Sequence, residues 1–407
     1  MNQLRASSGN KSDHVKSDCY VEIELKSSGG IQIELKSKVG TLYGDSIRTL
    51  IKSVLQFFNM EHAHVVIEDR GALEFVIAAR LEAVIQLIKP NKKEFLFDQI
   101  ADNKYHTERD QIRFSRLYLP GNSPKLFINS GIYQSHAIIL DLEDSVAPDK
   151  KHEARFMVRN ALRSVNFYGS ERMVRINQIP NGLEDLNFIV PHHVNLILIP
   201  KVENAQQIID VDNRIKEIRK EKGMDYPIWY MPIIESALGV INAFPIAKAS
   251  ANVVALAIGL EDYTADIGAK RSQEALESFY ARSALVNAAK AAGIQAIDSV
   301  FSDVDDLEAL KQTIWVSKGL GFEGMGCIHP RQIPVIHENY APDPVELTKA
   351  KRIVLAFDEA QEKGLGVVSL GSKMIDPPVV KRALKLIETA ISLNKLGKNW
   401  KESEMDN

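Results

Sequence analysis

Cysteine is nearly absent: Cys19 and Cys327 are the only two in 407 residues. They lie too far apart in sequence to read as a disulfide framework or a ligand pair, which fits a reducing, cytoplasmic setting. Zinc-type spacings are missing too, with no CxxC and no HExxH around the ten histidines. No apolar run approaches the roughly 20 residues needed to span a bilayer. The first stretch, MNQLRASSGNKSDHVKSD, is polar and lacks the apolar centre of a secretion signal. Nor is the charge lopsided. A formal net charge of −3 and a pI near 6.4 leave no footprint for nucleic acid or an anionic membrane. What is present is 45% apolar residues over a length that accommodates two or three domains with a sizeable core.

Three textures follow one another. Residues 1–17 are rich in Ser and Lys and are expected to form a disordered arm. Residues 18–90 read as a small α+β module. CYVEIEL and IQIELKS alternate around SSGG, a helical pattern follows from Gly44 to Phe58, and a strand-like AHVVIED leads into the helix ARLEAVIQLI. Residues 91–112 form a charged linker after Pro90.

From 113 to 330 the chain shows eight short apolar runs separated by helix-length segments: SRLYLP, HAIILDLED, RMVRIN, VNLILIPKVE, IWYMPIIE, VVALAIGLED, AIDSVFSD and GMGCIHP. Strands alternating with helices predict a parallel α/β fold, and eight of them fit a (β/α)8 TIM barrel. In a barrel the reactive groups gather where strands end, and seven of these runs end in a charged residue or histidine. A doubly wound sheet is the alternative. It calls for a glycine-rich phosphate turn after its first strand, of which LPGNSPK is a poor version. Residues 331–407 read as a largely helical C-terminal segment serving as lid or oligomerisation element.

Glu235 ends the fifth run and Asp262 follows the sixth, so a barrel brings the two carboxylates to adjacent strand ends. Two carboxylates completed by water and a substrate oxygen make a magnesium site. The plainer reading makes each acid the cap of the helix that follows. Arg175 closes the third strand, where a guanidinium can grip a carboxylate or a developing enolate. It can also simply pair with the acids of DLED. Glu143 and Asp144 either support the metal's waters or pair with Lys201 across the mouth. LPGNSPK (119–125) offers exposed amides and Lys125 to a phosphate, or is an ordinary turn. His329 in CIHP reads as a packed or backbone-bonded histidine.

Taken in order, RFSRLYLPGNSPK, DLEDSVAPDKKHEAR, VRIN, NGLEDL, PKVENA, IIESALGV, GLEDYTADIGA and GCIHPRQIP resemble the citrate lyase β-subunit-like lyases, a group that includes malyl-CoA and citramalyl-CoA lyases. The resemblance covers about residues 112–385. It implies a TIM barrel, magnesium held by Glu235 and Asp262, and Arg175 on the substrate. It also implies that Asp376 in GSKMID is the acid/base lent to a neighbouring subunit, so that the enzyme is a homo-oligomer, expected as a trimer. By its residues alone Asp376 is a helix cap before Pro377. The implied reaction is retro-Claisen cleavage of a β-hydroxyacyl thioester, with the thioester lying along Gly121, Asn122, Lys125 and His329.

Residues 17–88 resemble the citrate lyase acyl-carrier (γ) subunit, with GDSIR and DRGAL as landmarks. That subunit carries a phosphoribosyl-dephospho-CoA arm on a serine. In the ungapped alignment this serine falls on Lys16, so Ser17 is the first candidate for attachment and Ser12 the second. The alternative is a degenerate carrier domain kept for assembly. Three functional readings result: a lyase for citryl-type thioesters working with an α-type transferase subunit, a lyase for free malyl-CoA or citramalyl-CoA, and a non-catalytic carrier or assembly protein.

Overall fold

The computed structural model describes residues 4–12, 14–272, 275–370 and 373–401. Its chain divides into two units, residues 1–304 with 320–333, and residues 305–319 with 334–407.

The first unit opens with a four-stranded sheet. Strands β1 (Arg5–Ser8), β2 (Cys19–Leu25), β3 (Ile31–Ser37) and β4 (Ala63–Asp69) lie in the order β1-β2-β4-β3, with helices α1 (Gly40–Phe57) and α2 (Glu74–Ile88) packed on them. Alternation sets the packing. Cys19, Val21 and Ile23 point inward with Ala63, Val65 and Ile67, and meet Ile51, Val54 and Leu55 of α1 and Leu81 and Val84 of α2.

Two findings here depart from the sequence pattern. The segment expected as a disordered arm contains β1, which pairs antiparallel with β2 from Arg5 opposite Glu24 to Ser8 opposite Val21 and buries Ala6 and Ser8. Four residues of RASS are too short and too polar for alternation to stand out. CYVEIEL and IQIELKS, adjacent across SSGG, do not pair with each other. Strand β4 lies between them, antiparallel to β2 and parallel to β3.

The barrel follows. Its strands are β5 (Ser115–Pro120), β6 (Ala137–Asp141), β7 (Glu171–Arg175), β8 (Leu196–Ile199), β9 (Trp229–Ile234), β10 (Ala255–Ile258), β11 (Gln295–Ile297) and β12 (Met325–Cys327). Helices α3 (Lys151–Ser164), α4 (Gly182–Ile189), α5 (Ala205–Lys222), α6 (Ala237–Ile241), α7 (Ala243–Lys248), α8 (Leu260–Asp266) and α9 (Leu276–Ala292) connect them. The sheet order is β11-β10-β9-β8-β7-β6-β5-β12, all parallel. A parallel bridge between Asp298 and Met325 closes the ring. This is a TIM barrel, and its closure rules out the open doubly wound sheet. Side chains fill the interior, among them Ile139, Met173, Leu198, Met231, Ile233 and Ile297. Connector residues tie down the N-terminal strand ends. Thr107 Oγ1 donates to Glu171 Oε1 at 2.8 Å, and Arg113 Nε pairs with Glu171 Oε2 at 2.7 Å.

The second unit comprises α10 (Leu307–Leu320), most of α11 (Gln332–Tyr340), α12 (Pro344–Glu362) and α13 (Pro377–Ser392), with a hairpin of β13 (Val368–Leu370) and β14 (Lys373–Ile375). Ile353, Val354 and Phe357 of α12 meet Val380, Ala383 and Ile387 of α13 in its core. Among the described residues no helix is long and apolar enough to cross a membrane.

Candidate active site

The C-terminal ends of the strands carry the polar groups, as the period of the fold requires. Asp141 and Arg175 are the last residues of β6 and β7, Glu143 and Asp144 follow β6, Lys201 follows β8, Glu235 follows β9, and Asp262 lies in the first turn of α8 after β10. Neither Glu235 nor Asp262 caps a helix. Ser236 caps α6 by accepting the Gly239 N–H at 3.1 Å, and α8 starts from Gly259 without a side-chain cap. The capping explanation for both acids therefore fails.

Glu235 is 5% exposed and accepts the Lys201 backbone N–H at 2.7 Å on Oε1. Gly259 makes room for it, because a Cβ at that position would collide with the carboxylate. Burial pushes its carboxyl up to about 8, reinforced by the charges of Asp262 and Glu143 and opposed by the Lys201 amide. The Lys201 ammonium sits among the acids, 3.3 Å from Glu143, 3.5 Å from Asp144 and 3.5 Å from Asp262. Lys201 itself has positive φ, 50°, in the turn after β8.

Arg175 is fixed by Asp141. Its Nε and Nη2 donate to the two Asp141 oxygens at 2.6 and 2.7 Å, and Nη1 is 2.9 Å from Glu143 Oε2. Burial works to raise the Asp141 carboxyl, but the Arg175 fork and the Ser145 hydroxyl hold it below its ordinary value. The two hydrogen bonds to Asp141 use two of the five guanidinium N–H groups, and the contact with Glu143 is an ion pair rather than a hydrogen bond. So the pairing of Arg175 with DLED is real, and it orients the guanidinium rather than consuming it. Asp141 is the residue that sequence reasoning missed. It ends the strand run IILD, and the strand-end rule that singled out Glu143 applies to it equally.

A cavity of about 1140 Å³ opens at these strand ends, lined by Asp141, Arg175, Glu235, Asp262, Lys125 and His329 among others. The expected thioester-binding residues do not all face it. Lys125 and His329 line the cavity, whereas Gly121 and Asn122 do not. Gly121 lies against β6, where its N–H bonds the Asp141 carbonyl at 2.7 Å and a Cβ would collide with that oxygen. Asn122 bonds Arg80 of α2 and Glu153 of α3. His329 accepts the Arg331 N–H on Nδ1 at 3.2 Å, the backbone-bonded state read from its motif.

Asp376 belongs to the second unit, where it caps α13 by accepting the Val379 N–H at 3.2 Å, with Pro377 and Pro378 following. Ser17 is half-buried with φ 55°, and its N–H bonds the Arg70 carbonyl at 3.1 Å. Ser12 is exposed, its hydroxyl accepting the His14 N–H at 3.2 Å.

The residues fit a magnesium ion that keeps most of its shell from water and substrate. Among the described residues no group of three or more His, Cys, Asp or Glu side chains is arranged to hold a metal by itself. Magnesium asks for only one or two carboxylates plus water and substrate oxygens. The stand-in already present is the Lys201 ammonium, a cation drawn between Glu143, Asp144 and Asp262.

Comparison with known proteins follows this geometry. The family model for HpcH/HpaI aldolase/citrate lyase matches residues 115–330, and that for the malonate decarboxylase delta subunit, an acyl-carrier type, matches residues 14–88. The citrate lyase subunit beta of Haemophilus influenzae is 40% identical over 285 residues, spanning 69% of this chain and 98% of the relative. The mitochondrial citramalyl-CoA lyase of Homo sapiens is 33% identical over 289 residues, 68% of this chain and 85% of the relative. The crystal structure of protein CitE from Mycobacterium tuberculosis in complex with magnesium, acetoacetate and coenzyme A superposes with a TM-score of 0.58 at 28% identity, covering 70% of this chain and 99% of that one.

Proposed function

The chain belongs to the HpcH/HpaI aldolase/citrate lyase family, and from that premise we propose the reaction it runs. It is a magnesium-dependent carbon–carbon lyase that cleaves a β-hydroxyacyl thioester, of citryl type, into a keto acid and a shorter acyl thioester. The observation that carries this reading is the acidic mouth, where Glu143, Asp144 and Asp262 surround Lys201 and Glu235 is buried beside them.

Glu235 and Asp262 would hold the metal, with Glu143 and Asp144 supporting its waters. Magnesium bound there supplies Lewis-acid stabilisation of the negative charge that develops on the substrate's hydroxyl oxygen. The reaction balances simply. The hydroxyl proton passes to water in the open mouth, the carbon–carbon bond breaks as the carbinol becomes a ketone, and the electron pair passes to the thioester as an enolate. Arg175, held by Asp141, presents its remaining N–H groups to that enolate. Asp376 of a neighbouring copy returns a proton to the enolate carbon. This makes the active form a homo-oligomer, expected as a trimer. Leu276, Phe279 and Tyr280 on α9 and Ile241 on α6, each more than half exposed, supply apolar surface for such an assembly. The thioester runs along Pro120–Lys125 toward His329, with Lys125 meeting its phosphates. A cytoplasmic location accords with the thiol usage.

The carrier-like domain favours a citryl group delivered on a phosphoribosyl-dephospho-CoA arm at Ser17, loaded by an α-type transferase subunit. A second reading, free malyl-CoA or citramalyl-CoA, draws on a specific observation. The domain is fastened to α3 by the buried pair of Glu82 with Arg159 at 2.5 Å, which suits a fixed module more than a travelling carrier.

The test is cleavage of citryl-CoA, malyl-CoA and both citramalyl-CoA epimers with magnesium, followed as keto acid released, alongside the intact mass of the protein. Citryl-CoA turnover and a mass increase lost in Ser17→Ala are expected. Turnover confined to malyl-CoA or citramalyl-CoA by an unmodified chain would select the second reading. An enzyme inert toward all four esters and unmodified would sink both.

A further inference from the structure

Among the described residues one side chain of the N-terminal domain, Arg80, bonds the loop that follows β5. Arg80 on α2 is fully buried and binds three separate elements. Its Nε and Nη2 grip Asp18 at the start of β2, at 3.0 and 2.8 Å. Its Nη1 donates to Asn122 Oδ1 at 2.6 Å and lies 3.0 Å from Glu153 Oε1 on α3. Asn122 Nδ2 in turn donates to the same Glu153 oxygen at 3.1 Å.

Asn122 sits in the middle of the Pro120–Lys125 loop, between Gly121, which is pressed on β6, and Lys125, which lines the cavity. Among the described residues Asn122 supplies all of that loop's side-chain hydrogen bonds, and each goes to Arg80 or Glu153. On its other side the loop is tied by the Gly121 N–H to the carbonyl of Asp141, whose carboxylate holds Arg175. The loop is thus pinned from the N-terminal domain on one flank and from the Arg175 mount on the other.

We propose that Arg80 is a positioning residue: through Asn122 it fixes the Pro120–Lys125 loop, so that the N-terminal domain sets how tightly the barrel binds the carrier portion of its thioester. In the proposed reading the loop meets the carrier portion of the thioester rather than its reacting carbons, so losing its placement weakens binding in the ground state and transition state alike. That loss raises KM and leaves kcat in place. Glu82 provides the contrast. It is equally buried on α2 and pairs with Arg159 of α3, but its other hydrogen bond, from the Phe95 N–H at 3.3 Å, leads to the linker and not to the mouth.

The kinetic arm of the test rests on the lyase reading, and the exchange arm does not. Full-length wild type, Arg80→Lys, Asn122→Ala, the double variant and Glu82→Gln are compared by KM and kcat on whichever thioester the wild type cleaves. Hydrogen exchange of the peptide spanning residues 117–126 is measured in parallel. Expected are about tenfold rises in KM for each single variant at the Arg80–Asn122 bond. The double variant should raise KM no further than Arg80→Lys, because the two substitutions act on the loop through the same Arg80–Asn122 contact. Faster exchange in 117–126 should accompany these changes. Glu82→Gln should lower the melting temperature with KM within about twofold and exchange in that peptide unchanged. Multiplying effects in the double variant, an unchanged KM in Arg80→Lys, or equal effects from Glu82→Gln would overturn the proposal. Should Arg80→Lys not fold, Asn122→Ala against Glu82→Gln carries the test. If the wild type cleaves no thioester, the lyase reading falls, and loop exchange alone then decides the positioning role.

Discussion

Two clusters of arginine and carboxylate sit in the first unit, and their charges are arranged differently. At the mouth, the carboxyl groups of Asp141, Glu143, Asp144, Glu235 and Asp262 crowd around Arg175 and Lys201, while Arg116, Lys125 and Arg331 also line the cavity. At the seam between the N-terminal domain and α3, each cation meets its acids directly: Arg80 and Lys150 face Asp18 and Glu153, and Arg159 faces Glu82 and Glu94. At the seam every one of these arginines is fully buried against a carboxylate. The mouth borders a large cavity and crowds its acids together, so that burial and the neighbouring Asp262 and Glu143 push the Glu235 carboxyl up to about 8. Burying unpaired charge is costly, so crowded acids are tolerated where a cation or substrate completes them, while direct pairing marks a joint. Buried polar networks thus look alike residue by residue, and the arrangement of charge separates a site from a fastening.

The largest way to break the contrast is at the mouth. Glu235→Ala or Asp262→Ala is expected to lower kcat/KM by about 10³-fold or more, roughly 4 kcal/mol of transition-state stabilisation. Thermal unfolding should move little, since neither acid caps a helix. Chelating magnesium from the wild type should reproduce the loss, and adding it back should reverse it. Next comes the seam. Arg159→Met strands Glu82 in the interior and should cost about 3–5 kcal/mol in urea unfolding, with kcat/KM per folded molecule unchanged. A seam variant that abolished turnover without destabilising would erase the distinction. Third, Arg175→Lys keeps the charge but loses the fork on Asp141, and about a 10²-fold fall in kcat/KM is expected.

The smallest effect sharpens the seam. Burial, together with the neighbouring Arg159 and against the pull of Glu94, lowers the His192 pKa to about 4. The unfolded chain takes up this proton near 6.5 and the folded one only near 4. Between those values the unfolded state binds more protons, so stability falls as pH falls, approaching about 1.4 kcal/mol per pH unit for this one group. Urea midpoints from pH 7 down to 4.5 should decline less steeply in His192→Gln. An identical slope would remove His192 from the account.

All eight barrel strands were legible in the chain, because a strand buried on both faces must be a short apolar run and its polar follow-on must fall at the mouth. The strand-end placement of Glu235, Asp262 and Arg175 was legible by the same rule. That neither acid caps a helix was not, since it turned on Ser236 taking the cap of α6, and neither was the pairing of Arg175 with Asp141. Strand β1 escaped because four residues, three of them polar, carry no periodic signal. The strand order of the N-terminal sheet was not legible, because the placement of β4 between β2 and β3 is set by long-range packing that no local pattern encodes. The Arg80–Asn122 bond joins residues 42 apart on a helix and a loop. Its existence depends on how α2 lies against α3, which no local pattern encodes.

The most direct measurement is titration of Mn²⁺ into the protein, with the free ion followed by electron paramagnetic resonance and magnesium added as competitor. The account predicts one site per chain that magnesium displaces, lost in Asp262→Ala and in Glu235→Ala and retained in Glu82→Gln. Binding that survives both mouth variants would place the cation elsewhere and contradict the reading of the acidic mouth as a metal centre.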